Sequence, residues 1–402
     1  MKKILSTVLC IVVLFSACSV QNSKKAKYIF LFVGDGMGIA HVTLTEAYLA
    51  DKAGEIGSEY LSFSKFPYTG FVTTYSASHF TTCSSASGTA FSTGYKTKNH
   101  MLGIAPDSIT KLKSVTYKLK ENGLKIGVSS NAGINHATPA SFYASNISRT
   151  AYYDIGLQLW QSGFDFFGGG SFIQDKGKTK DLQSLEEITK NNGYTVTRGI
   201  KEISDVSENT SIDKVVAFFN ESDDVQNLSY AINRKPGEAK LSDIIEAEIK
   251  FLKARENKGF FIMAEGGIID WCAHDNDAAG VVKEVIDLSE AVQIAVDFYN
   301  KYPDETLILV TADHETGGLI LRNSNGYASF DGQAGSVGTL GENGKEICDS
   351  INKEAGVRFG TKGHTGIVVP MYAIGAGAEL FTGKFDNTDI PRKIMQAAGF
   401  EF

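Results

Sequence analysis

Tyr28-Ile29-Phe30-Leu31-Phe32-Val33-Gly34-Asp35 is the stretch on which the fold turns: six bulky, mostly apolar residues in a row, then a glycine and a carboxylate. A run that is short and continuous, rather than alternating, suits a strand buried on both faces of a parallel sheet. Three more runs of the same kind follow, at Lys125 to Ser129, Gly259 to Ala264 and Leu307 to Thr311. Between them Lys111 to Asn122, Ser242 to Glu256 and Ala279 to Tyr302 carry helical spacing. The alternation predicts an α/β fold, a doubly wound and mainly parallel sheet sandwiched by helices.

What stands after each run is as informative as the run. Asp35 follows the first, His136 and Thr138 the second, Glu265 the third and Asp313-His314 the fourth. Ligands of open α/β sheets bind beyond the carboxyl ends of the strands, so these residues are expected to converge on one edge. Asp270 and His274, four apart, share one face of a helical turn, where a carboxylate and an imidazole can hold one cation. That spacing alone is common on surfaces; here it comes with Asp313-His314 and with His364 in a glycine-flanked turn. Imidazole and carboxylate donors suit zinc, and the all-oxygen set of Asp35, Thr138 and Glu265 suits magnesium. His41, His79 and His100 have no setting that recommends them and read as structural.

The segment Thr81-Thr82-Cys83-Ser84-Ser85-Ala86-Ser87-Gly88-Thr89-Ala90 is dense in small residues and hydroxyls, and Gly94 ends the helix it predicts. A serine at a helix start meets free N–H groups and a positive dipole, which favour an anion. A plain N-cap serine is the alternative, and local chemistry does not distinguish Ser84, Ser85 and Ser87.

Composition bounds the rest. The chain of 402 residues is 43% apolar and 21% charged, with a net charge of −7 and no basic run, so nucleic acid is an unsuitable partner. Residues 1–18, two lysines before an apolar stretch too short to span a bilayer, read as a secretory signal. Phe15-Ser16-Ala17-Cys18 is similar to a lipobox, with Phe15 where leucine is usual, which makes Cys18 the expected lipidation site and the lipid the only expected membrane contact. Residues 19–27 read as a polar tether and 28–402 as one catalytic domain. Cys83, Cys272 and Cys348 are too few for a disulfide framework. Gly168 to Asn191 reads as polar surface, and about 322–363, rich in Gly, Asn, Ser and Asp, as a small irregular insertion.

From Tyr28 to His364 and beyond, these motifs resemble the alkaline phosphatases. Phe32-Val-Gly-Asp-Gly-Met-Gly38 is similar to the family's first metal loop, which implies that Asp35 bridges zinc and magnesium. Aligning Thr89-Ala90 with the nucleophile motif implies Ser84 as the nucleophile, with Cys83 where many members have aspartate. Asn135 to Arg149 resembles the strip that supplies Thr138 to magnesium and Arg149 to phosphate; His136 and Trp271 occupy variable positions beside the metals. By the same resemblance Glu265 binds magnesium, Asp270, His274 and His364 the first zinc, and Asp313 and His314 the second. The implied enzyme is an exported phosphomonoesterase with two Zn2+ and one Mg2+ and a phosphoserine intermediate. It is expected to be periplasmic or lipid-anchored and homodimeric, and to act on small phosphate monoesters. The competing readings are a phosphodiesterase of the same superfamily and a non-catalytic metal- or phosphate-binding lipoprotein.

Overall fold

The structure, a computed structural model, describes residues 24–220 and 226–402. Cys18, the signal segment and the first part of the expected tether lie outside the described residues. Lys24 to Lys27 lie against the body of the domain: Ala26 is buried and its N–H donates to the Ala397 carbonyl at 2.8 Å.

The four apolar runs form β1 (Tyr28–Gly34), β3 (Lys125–Gly133), β7 (Phe260–Gly266) and β8 (Thr306–Thr311). Six other strands join them: β2 (Tyr68–Thr73), β4 (Phe166–Gly170), β5 (Thr195–Arg198), β6 (Val215–Phe218), β13 (Val369–Gly375) and β14 (Gly383–Asp386). Short ribbons are made by β9 (Glu315–Thr316) with β12 (His364–Thr365) and by β10 (Leu319–Leu321) with β11 (Val357–Phe359). The large sheet runs β14-β2-β13-β8-β1-β7-β3-β4-β6-β5, parallel throughout except that β13 is antiparallel to β8 and β2. Every residue of β1, β7 and β8 is buried, as a strand covered on both faces requires.

One helical layer packs α1 (Ile39–Lys52) on α10 (Ala278–Lys301), α10 on α8 (Leu241–Lys253) and α8 on α7 (Gly199–Glu208). The opposite layer holds α2 (Ser84–Thr93), α3 (Val115–Glu121), α4 (Ala137–Ala140) and α12 (Ile390–Ala397); α5 (Tyr152–Ser162) packs on α6 (Leu185–Asn191). The core between layers is aromatic, with Phe30, Phe32, Phe166, Phe167, Phe260 and Phe261 all fully buried. Truncating one of them to Ala removes about 3–5 kcal/mol of stability.

Two regions differ from their sequence reading. Gly168 to Asn191 begins inside the buried β4, because Phe166 and Phe167 carry the glycines into the sheet. The 322–363 stretch carries α11 (Gly344–Glu354), whose Cys348 and Ile351 face inward, and a small core of Leu44, Tyr48, Phe330 and Val357 fastens the stretch to α1 and α10. Among the described residues no helix is long and apolar enough to cross a membrane, and Cys83, Cys272 and Cys348 are free thiols.

Candidate active site

The carboxyl ends of β1, β3, β7 and β8 deliver the side chains expected of them to one place. Asp35 follows β1 at the turn whose Gly36 has φ +73; a Cβ there would sit 2.9 Å from Asp270 Oδ1 and from Thr316 Oγ1, so only glycine lets the turn pass this close. Asp35, Glu265, Asp270, Asp313 and His314 are all buried. Asp313 Oδ1 accepts the N–H groups of Gly36 (3.1 Å) and His314 (2.9 Å). His314 Nε2 then lies 3.1 Å from Asp313 Oδ2, 3.4 Å from Asp35 Oδ1 and 3.4 Å from Ser84 Oγ.

A second group adjoins it. Asp270 Oδ2 is 3.3 Å from His274 Nε2, and Asp270 Oδ1 is 3.7 Å from His364 Nε2. The Nδ1–H of His274 donates to the Lys362 carbonyl, and that of His364 donates to the Thr82 carbonyl at 2.9 Å. With each Nδ1 engaged in this way, the two Nε2 atoms turn into the cluster and face each other at 3.2 Å. The His314 and His364 rings stack at 3.6 Å, joining the two groups.

Electrostatics point the same way. Burial, then the charges of Asp313 and Asp270, push the Asp35 carboxyl well above the usual range. Burial lifts Glu265 to about 7 against the opposing Ser130 hydroxyl. The Asp270 hydrogen bond raises His274 to about 8, whereas burial and the charge of His314 depress His364 to about 4. Apart from the His314 Nε2 contacts, both Asp35 oxygens, Glu265 Oε1, Asp313 Oδ2 and Thr138 Oγ1 are buried without a hydrogen-bond partner. Carboxylates are not left so without compensation, and the donor set fits divalent cations. Asp270, His274 and His364 place ligand atoms within 4.8 Å of one another, as do Asp35, Asp270 and His314. Thr138, on α4, lies beside Glu265.

Ser84 is the first residue of α2, whose ten residues are all buried although serine and threonine are indifferent helix formers. Within the helix the Thr89 and Thr93 hydroxyls donate to carbonyls one turn back, both at 2.7 Å, and a tertiary contact, Ser92 donating to the Ser141 carbonyl at 2.7 Å, holds it in place. The structure also separates the three serines. Ser85 Oγ lies 3.3 Å from Cys83 Sγ and Ser87 donates to the Asp313 carbonyl at 2.7 Å, so only Ser84 faces the cluster. Arg149 reaches it from the other side, Nη1 3.4 Å from Ser84 Oγ and Nη2 3.4 Å from His136 Nε2. Burial and Arg149 depress His136 to about 3, so its imidazole is neutral; its ring meets Trp271 edge-on at 5.9 Å.

His41 is buried with Nδ1 accepting the Gly38 N–H at 3.1 Å, and His79 is exposed beside Ser78, so neither joins the cluster. His100 takes part through its backbone: at φ 71 its N–H donates to Cys83 Sγ (3.1 Å) and its carbonyl accepts the Arg149 N–H (2.8 Å). Sequence reasoning missed Thr316, whose hydroxyl donates to Asp270 Oδ1 at 2.5 Å and lies 3.2 Å from His314 Nδ1. Its place two residues after His314 in a strand-like stretch was the available signal.

A serine at a helix N-terminus, a guanidinium over it and a buried carboxylate–imidazole cluster at the switch edge of an α/β sheet define a metal-binding hydrolase. Comparison with known proteins agrees. The sequence model of the alkaline phosphatase family matches residues 26–336, and the chain belongs to that family. Alkaline phosphatase 3 of Bacillus subtilis is 29% identical, with 94% of this chain and 90% of that protein aligned. The alkaline phosphatase of Gadus morhua is 26% identical over 94% and 92%. Among solved structures, alkaline phosphatase from the Antarctic bacterium TAB5 superposes with a TM-score of 0.77 at 30% identity, covering 94% of this chain and all of that one. The cold-active alkaline phosphatase of Shewanella sp. gives 0.78 at 26% identity, covering 92% and 99%. The protein is an alkaline phosphatase, a hydrolase of phosphate monoesters.

Proposed function

We propose that hydrolysis runs through a phosphoserine at Ser84, with Arg149 as the phosphate-binding residue. The observation that carries this is the position of Ser84 Oγ, 3.4 Å from both Arg149 Nη1 and His314 Nε2 at the start of α2. Ser84 Oγ attacks phosphorus and the alcohol departs; water then cleaves the Ser84 ester and releases phosphate, with Ser84 regaining its proton. The two outer nitrogens of Arg149 hold two phosphoryl oxygens, and the N–H groups at the start of α2 add positive potential. His136, neutral, keeps Arg149 in place without competing for the anion.

The ligand roles divide by chemistry. Asp270, His274 and His364 would hold one zinc and Asp313 and His314 a second, while Asp35 would serve both the second zinc and a magnesium held by Thr138 and Glu265. Bound there, the cations favour the ionised serine and offset charge on the attacking and leaving oxygens. A mutant of the TAB5 alkaline phosphatase has magnesium bound in its M3 site, which supports a magnesium position in this chain. Export by residues 1–18, lipidation at Cys18, a periplasmic or membrane-anchored location and a homodimer belong to the same reading.

Rapid quench after mixing with a labelled monoester, followed by peptide mapping, tests the intermediate. Label on Ser84 that is absent from Ser84→Ala is expected; label on Ser85 or Ser87 moves the nucleophile. Preferential turnover of a matched diester shifts the enzyme to the phosphodiesterase branch.

A further inference from the structure

The carboxyl-terminal half of β3 carries two adjacent residues, Ser130 and Asn131, whose side chains both reach the segment that carries Glu265 and Asp270. Ser130 donates to Glu265 Oε2. Asn131, 1% exposed, accepts the Gly267 N–H at 2.7 Å on Oδ1, while its Nδ2 faces Glu284 Oε2 at 3.5 Å. Glu284, also 1% exposed, accepts the Ala231 N–H at 2.5 Å on its other oxygen. The Asn131 carbonyl accepts the Leu228 N–H at 2.8 Å.

Gly267 is the N-cap residue of α9 (Ile268–His274), the helix of Asp270 and His274, and offers no side chain to cap it. A helix start leaves N–H groups without partners, and here Asn131 satisfies one from a different strand. The turn has little room to shift: a Cβ on Gly267 would come within 3.2 Å of Glu265 Oε2 and 3.3 Å of Ala132 Cβ. The preceding Gly266 carbonyl accepts the Asp35 N–H at 3.2 Å, so displacement of the turn is transmitted to Asp35 as well. On the far side, Glu284 fixes the backbone next to Tyr230, whose ring lies 6.3 Å from that of Trp271.

We infer that Asn131 and Glu284 are positioning residues that set the Glu265–Asp270 turn in its cation-binding shape and tie it to the Leu228–Ala231 loop. Neither touches a reacting atom. The inference rests on the reading of Glu265 and Asp270 as metal ligands. Side chains that orient ligands in this way typically change metal affinity roughly 10- to 100-fold when removed.

The test is calorimetric titration of zinc-loaded protein with magnesium, with thermal unfolding of the metal-free protein as a control. Asn131→Ala leaves the Gly267 N–H unpaired, and Glu284→Gln sets an amide N–H against either the Asn131 amide or the Ala231 N–H. The exchange Asn131→Asp with Glu284→Gln restores every partner, since the new aspartate accepts from Gly267 and from the new glutamine. We expect each single variant to bind magnesium at least roughly tenfold more weakly and the exchange to recover most of that loss. Wild-type magnesium affinity in the single variants refutes the inference. So does an exchange variant whose metal-free midpoint recovers while magnesium binding does not. If Asn131→Ala fails to fold, Glu284→Gln and the exchange give the same comparison. Wild-type protein that takes up no magnesium overturns the ligand reading itself and this inference with it.

Discussion

Replacing Arg149 by lysine keeps one positive charge and removes the planar fork. Its outer nitrogens sit 3.4 Å from Ser84 Oγ and 3.4 Å from His136 Nε2, both loose contacts, so each is free to shorten onto a phosphoryl oxygen. An ammonium at the end of a flexible stem supplies the charge but not two parallel N–H bonds in one plane. The loss is therefore one charge-assisted hydrogen bond, about 1.5–3 kcal/mol. At about 1.4 kcal/mol per factor of ten, that lowers kcat/KM roughly 10- to 150-fold. Steady-state hydrolysis of a chromogenic phosphate monoester measures it, with inhibition by inorganic phosphate as the companion reading, because the same fork binds product. The Arg149→Lys enzyme is expected to lose catalytic efficiency and phosphate inhibition together. A variant within twofold of wild type in both would refute the assignment of phosphate binding to this side chain.

Other outcomes follow from the same structure. Chelation is expected to lower the thermal midpoint: a cation present at 100 times its Kd stabilises by about 2.7 kcal/mol, and calorimetry showing identical midpoints with and without chelator contradicts a cation in the carboxylate cluster. Ser84→Ala is expected to abolish covalent phosphate labelling while the protein unfolds at the wild-type temperature; continued labelling contradicts the assignment. Glu248 is buried beneath β3, with Oε2 accepting the Ser129 hydroxyl at 2.8 Å and Oε1 unpartnered, and burial pushes its carboxyl well above the ordinary value. Its folded pKa exceeds the unfolded one, so its contribution is fully present below about 4.3 and is lost as pH rises through the folded value. Glu248→Gln should therefore gain stability relative to wild type as pH increases from 5 to 9, and a difference in midpoint that stays constant with pH refutes this.

The central strands were legible because burial on both faces leaves a continuous apolar run, which no neighbour is needed to interpret. The flanking β2 was not: Tyr68–Thr73 is only partly buried, and its glycine and tyrosine fit a loop equally well until β13 and β14 pair with it. The α11 helix was hidden for a related reason, since its apolar residues are few and gain meaning only against α1 and α10.

The site divides along the same line. Residue types that ligate metals, set at the ends of apolar runs and four apart on one helix turn, can be read from sequence because strand ends and helix faces are local geometry. The choice of Ser84 over Ser85 and Ser87 rested on resemblance; what the tertiary structure adds is that Ser85 lies against Cys83 Sγ and Ser87 donates to the Asp313 carbonyl. The carbonyls of Thr82 and Lys362, the backbone of His100 and the Asn131 amide carry no sequence signal, because each acts on a residue distant along the chain. Sequence alone determined which chemistry the chain carries and at which strand ends. Only the folded structure decided which atoms face each other, because hydrogen bonds between distant segments depend on three-dimensional proximity that local periodicity does not encode.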